Sequence, residues 1–146
     1  MAEQIVFLTN VVSTLMMTGI MWFVHLIHYP VLSYVNQTEL AQYEQQHVKH
    51  TMKWAVLILV IEVVSATLLF WFRPANISIF PVAIGFALLI PIWVTTWSSC
   101  VPAHCKLENG FNSQVLQKLM KANFLRTLCW TFRTVIVIWM LSKVSA

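Results

Sequence analysis

Apolar residues fall in four long runs, Ile5 to Tyr29, Lys53 to Phe72, Ile79 to Cys100 and Asn123 to Leu141, with polar stretches between them. A bilayer core of about 30 Å takes roughly 20 residues at 1.5 Å rise per residue, so each run can cross it as an α-helix. Pro30 marks an end or a kink of the first helix, Arg73-Pro74 closes the second, and Pro81 and Pro91 predict a bend within the third. Most of the tryptophans lie near the predicted helix ends, where interfacial aromatics belong. The expected fold is an all-α integral membrane four-helix bundle, a single domain over residues 1–146.

The pattern leaves two long connections, about 30 to 52 and 101 to 122, and a short one at 73 to 78. Thr38 can cap a helix that runs unbroken into the second span. In the second long connection Glu108-Asn109-Gly110 is a turn signal, and the run Ser113 to Lys121 predicts a polar helix leading into the fourth span. Lys49, Lys53, Lys106, Lys118 and Lys121 lie on the side of the long connections, against Arg73 and Lys143 on the other. That bias predicts cytoplasmic long connections and both termini outside, as in a bacterial inner membrane.

Composition strengthens the membrane reading: 59% of the residues are hydrophobic, 10% are charged, Asp is absent, and mean hydropathy is +0.74. A soluble domain carries roughly 25% charged residues. The net charge of +4 comes from residues spread over helix ends, with no dense patch to hold nucleic acid. Cys100, Cys105 and Cys129 have no CxxC spacing, which excludes a zinc ribbon and a disulfide framework and leaves them as small hydrophobes. The first apolar run lacks a basic start and exceeds a signal core in length, so it is expected to remain as a helix.

Two polar features stand out. All five histidines fall at one end of the predicted bundle: His25 and His28 close the first span, His47 and His50 enter the second, and His104 leaves the third. An i,i+3 pair shares one helix face at about 5–6 Å, so each pair can approach one ion, with Glu44 adding a carboxylate. Such ligands suit iron, copper or zinc, and two histidines from different helices suit haem. Against this, HxxH spacing arises easily in a chain with five histidines, which can simply face water or headgroups. The second feature is Glu62, deep in an apolar run, where a carboxylate costs at least a few kcal/mol unless protonated or paired. Arg133 lies at the same predicted depth and is the expected partner. Thr14, Thr18, Asn123 and Arg126 complete the expected polar core, as a packing tie or as a proton or anion path.

The sequence Val101-Pro102-Ala103-His104, then Asn123-Phe124-Leu125-Arg126-Thr127, then Trp130 and Arg133, resembles the anthrone-oxygenase-like family of small four-helix membrane proteins. The similarity covers roughly the last third of the chain, with a weaker echo at His28-Tyr29-Pro30. The resemblance implies a four-span bundle with polar residues gathered at one end and, in a few relatives, oxygen-dependent chemistry on aromatic polyketides. His104 stands where many relatives have Asn, and the paired histidines exceed the family pattern, which moves the expectation from cofactor-free oxygenation toward a metal.

The expected function is therefore a metal- or haem-dependent membrane oxidoreductase or oxygenase acting on a lipophilic substrate, with His25, His28, His47, His50, His104 and Glu44 as ligands. The alternative is a non-enzymatic accessory subunit or a small transporter around a structural Glu62–Arg133 pair. Expected partners are the bilayer, a lipophilic small molecule, and an oligomer or larger membrane complex. Nothing in the sequence assigns a catalytic residue.

Overall fold

A computed structural model describes residues 1–32, 34, 37–110 and 112–144, apart from the side chains at positions 37, 38, 41, 44 and 52. Its described residues form four long helices and no strand: α1 (Ala2–Leu32), α2 (Gln37–Leu68), α3 (Ile79–Leu107) and α4 (Ser113–Val144). Each contains a stretch long and apolar enough to cross a membrane.

Side-chain contacts give the topology. Along α1, Asn10 meets Ser65, Thr14 meets Glu62 and His28 meets His47, so α2 runs antiparallel to α1. Thr18 likewise meets Thr134, Trp22 meets Thr131 and His25 meets Phe124, which sets α4 antiparallel to α1. Gly85 and Cys100 of α3 bond to Arg133 and Arg126 of α4, so α3 runs parallel to α1. The ends of α1 and α3 therefore meet the start of α2 at one end of the molecule.

The helices depart from the sequence pattern in three places, each with a local cause. The helices expected to lead into the second and fourth spans are present, beginning at Gln37 and Ser113, but α3 continues past the expected Cys100 to Leu107. No Gly or Pro interrupts residues 37–68, and Leu40 is buried in a cluster with Tyr29, Leu32 and Leu107. At its other end α2 stops at Leu68, four residues short of the expected Phe72. Arg73 holds the following turn by donating from Nη1 to the Phe70 carbonyl at 3.1 Å and from Nε to the Ile77 carbonyl at 3.2 Å. Finally, α1 passes through Pro30 instead of ending there.

The passage through Pro30 has a counterpart in α3. A π-helical turn covers Val24–His28 before Pro30, and another covers Thr96–Cys100 before Pro102. Proline lacks an N–H and its ring collides with the carbonyl four residues back. The wider i→i+5 turn accommodates both problems while the helix continues. At Pro91 the helix instead breaks at Leu88, one turn earlier. The α3–α4 connection closes at Gly110, whose φ of 142° only glycine adopts readily. Asn112 then caps α4, its Oδ1 accepting from the N–H groups of Gln114 and Val115 at 3.0 and 3.1 Å.

Polarity is distributed inside out. Leu8, Val12, Val60, Phe132, Val135 and Ile138 are exposed, while Asn10, Thr14, Glu62, Asn123, Arg126 and Arg133 are buried. Apolar layers lie on either side of the central polar group: Phe7, Val11, Leu69 and Met140 toward the N-terminus of α1, and Tyr29, Leu107, Leu116 and Leu119 toward the histidines.

Candidate functional site

Two polar regions lie along the bundle, and they differ in how completely their groups are bonded. In the central region Glu62 and Arg133 are fully enclosed and ion-paired, Arg133 Nε to Glu62 Oε1 at 3.0 Å. Thr14 Oγ1 donates to the same carboxylate oxygen at 2.9 Å, and Trp130 Nε1 donates to the other at 2.9 Å. The rest of the guanidinium is used as well: Nη1 donates to the Gly85 carbonyl and Nη2 to Thr14 Oγ1 at 3.3 Å. Asn10 donates to Ser65 Oγ at 3.1 Å and Thr18 bonds Thr134 at 2.8 Å, which tie α1 to α2 and α4 on either side. Every charged atom here has a partner on another helix, as low dielectric requires. Gly85 belongs to this arrangement because an added Cβ would stand 3.7 Å from Arg133 Nη1.

The second region, at the histidine end, surrounds a cavity of about 100 Å³ between the four helices. Met17, Met21 and Leu59 form its apolar wall, and His47, His104 and Arg126 its polar one. Arg126 is 8% exposed and Asn123, one helical turn earlier, is fully buried. Arg126 Nη1 points at Cys100 Sγ, 3.2 Å away, and the guanidinium lies 5.2 Å from the Trp130 ring centre. Its Nε–H and the Asn123 Oδ1 have no hydrogen-bond partner among the described residues. No carboxylate among them pairs with Arg126.

The histidines divide between places. His28 stacks on His47 with ring centres 4.2 Å apart, His47 lies 6.4 Å from His104, and Tyr43 flanks both His28 and His47 at 6.2 Å. Thr51 Oγ1 is 3.3 Å from His47 Nδ1 and fixes that ring from below. His25 instead packs between Trp22 and Phe124, and His50 is exposed beside Lys49, Lys53 and Trp54. The π-helical turn separates His25 from His28: with more residues per turn, positions three apart no longer share a face. Glu44 lies on the helical stretch before His47, and its side chain is outside the described residues. Among the described residues no group of three His, Cys, Asp or Glu side chains is arranged to hold a metal ion.

Comparison with protein-family models, with curated proteins and with solved structures finds no match. The site therefore speaks through its own geometry. Thr14, Thr18, Glu62 and Arg133 join the central network, whereas Asn123 and Arg126 face the cavity. Sequence reasoning missed Tyr29, Thr51, Thr96 and Cys100 as cavity residues. A usable signal was present for two of them, since Tyr29 precedes Pro30 directly and Cys100 precedes Pro102 by two, and each proline reshapes the turn before it. Trp130 also hydrogen-bonds the buried carboxylate, a role no sequence pattern pointed to.

Proposed function

We propose that the chain is an integral membrane enzyme that binds a lipophilic small molecule in the histidine-end cavity, where His47 and His104 exchange a proton with its polar head. The observation that carries this reading is the cavity itself, in which a wall of Met17, Met21 and Leu59 meets two imidazoles and a buried guanidinium. A polar core with a purely packing role would close on that space, as the core around Glu62 does. A dry cavity of roughly 150 Å³ accepts benzene, so a space of about 100 Å³ takes the head of a longer molecule whose remainder extends through the opening. Imidazole is the usual proton carrier near neutral pH, and contact with the polar head is the geometry that general acid–base catalysis needs. The lysines gathered at the histidine end support a cytoplasmic orientation for the cavity.

A metal centre is the second reading, favoured by the grouping of His28, His47 and His104. Its ligand lone pairs lie in the ring planes, and the stacked His28 and His47 rings, inclined by 23°, direct theirs side by side. One ring has to turn before both reach a common ion. The anthrone-oxygenase-like resemblance of the 101–133 stretch adds an aromatic substrate and molecular oxygen to either reading. A transport path along Thr14, Thr18, Glu62, Arg126 and Arg133 is less well supported, because it must break the saturated central network at every cycle.

Native mass spectrometry of protein extracted gently from membranes tests the proposal. Wild type should carry a lipophilic molecule that Met17→Trp, which fills the cavity, fails to carry. A wild-type protein free of any such molecule, and unable to bind lipophilic aromatics added in excess, rules the reading out. Stoichiometric iron, copper, zinc or haem that disappears in a His28→Ala, His47→Ala double variant decides for the metal centre.

A further inference from the structure

Resting on the cavity as a binding site, we infer that its ligand is a lipophilic acid bound as the anion, with an oxyanion against Arg126 and a hydroxyl donor against Asn123. Arg126 is more than nine-tenths buried, and among the described residues its contacts with charge-balancing character are a cysteine sulfur and the face of an indole. Neither supplies a negative charge. A guanidinium taken out of water costs several kcal/mol unless an anion faces it, and among the described residues none does. Seven residues further along the same helix, Arg133 shows how this bundle treats such a group when no ligand is involved: it pairs it with a carboxylate and saturates its donors.

The complementary atom is Asn123 Oδ1. Asn123 is fully buried and lines the same cavity, its Nδ2 reaches Thr127 Oγ1 at 3.5 Å, and its carbonyl oxygen has no donor among the described residues. Among the residues that line one side of the cavity, Arg126 thus holds a buried donor that carries charge and Asn123 a buried acceptor one helical turn away, both without a partner among the described residues. Water in the cavity would leave the guanidinium charge unbalanced against a methionine and leucine wall. An ionised oxygen with an O–H beside it satisfies all three requirements. The apolar remainder of the ligand fits against Met17, Met21 and Leu59. His47 and His104 border the same space, so a proton released from the acid as it binds has an imidazole acceptor within the site.

Four probes with one shared tail separate these elements: 5-hexyl-3-hydroxybenzoate, whose hydroxyl is too far from its carboxylate to bond it, carries both oxyanion and hydroxyl, 3-hexylbenzoate only the oxyanion, 3-hexylphenol only the hydroxyl, and hexylbenzene neither. Titration calorimetry into full-length protein in phosphatidylcholine nanodiscs, corrected with empty nanodiscs, gives their affinities. The hydroxybenzoate should bind about ten- to hundredfold more tightly than hexylbenzene, the span of a charge-assisted hydrogen bond, with the single-feature probes between. Arg126→Gln should remove the advantage of both anions and leave hexylbenzene unchanged, and Asn123→Leu should remove only the advantage of the hydroxyl. Equal affinity of all four probes, each lost in Met17→Trp, overturns the inference while the cavity remains a binding site. Failure of all four to bind wild type overturns the inference and the proposed function together.

Discussion

Arg133 and Arg126 sit two turns apart on α4, both buried, and their surroundings are opposite. Around Arg133 a carboxylate, a backbone carbonyl and a hydroxyl take up the guanidinium, and the neighbouring helices close over them. Around Arg126 the helices stand apart, Nε has no acceptor among the described residues, and a cavity remains. In lipid, helices gain no hydrophobic drive from meeting each other, so packing and interhelical hydrogen bonds hold a bundle together. The central network has the character of such a fastening, whereas at the histidine end no carboxylate among the described residues balances the Arg126 charge. One helix carries both because its neighbours change along its length: Glu62 and Thr14 at one level, Cys100 and the imidazoles at the other.

The largest effect expected from disturbing this contrast is at the central pair. Glu62→Gln or Arg133→Met alone should destabilise the protein by about 3–5 kcal/mol, since either leaves a buried charge unpaired, and the double variant should recover much of that loss. Chemical unfolding in detergent measures it, and strictly additive losses would show that the two residues are not coupled. Next comes Thr14→Val, which removes a donor to Glu62 and an acceptor from Arg133 while keeping shape. A loss of about 1–3 kcal/mol is expected in the same assay. A loss near zero would mean that Thr14 fills space and nothing more.

At the other end Arg126→Met should stay within about 1 kcal/mol of wild type or gain stability, because it removes a buried charge that has no carboxylate partner among the described residues. A loss as large as that of Arg133→Met would erase the distinction between the two regions. The smallest effect belongs to Gly85→Ala. Its Cβ would meet Arg133 Nη1 and Ile136 Cγ2 at ordinary contact distances of 3.7 and 4.0 Å. Alanine favours the helix by about 1 kcal/mol over glycine, so the variant should be neutral to slightly stabilised. Clear destabilisation would show that the network tolerates no added atom beside the guanidinium.

Four helices, their order and the level of each polar group along them were legible in the sequence. Hydrophobic run length sets how many helices form, and a fixed rise per residue sets axial position, so Glu62 and Arg133 could be matched by counting. The gathering of histidines at one end followed in the same way from the alternating direction of successive helices. Which histidines touch was not legible: His28, His47 and His104 lie together, while His25 and His50 point elsewhere. Contact between helices depends on rotation about each axis as well as on height. The π-helical turns before Pro30 and Pro102 shift that rotation by an amount that an α-helical period does not contain. Tertiary packing alone decided that Arg133 meets a carboxylate and Arg126 a cavity, because a residue's partners are set by the helices that face it, and those lie far away in the chain.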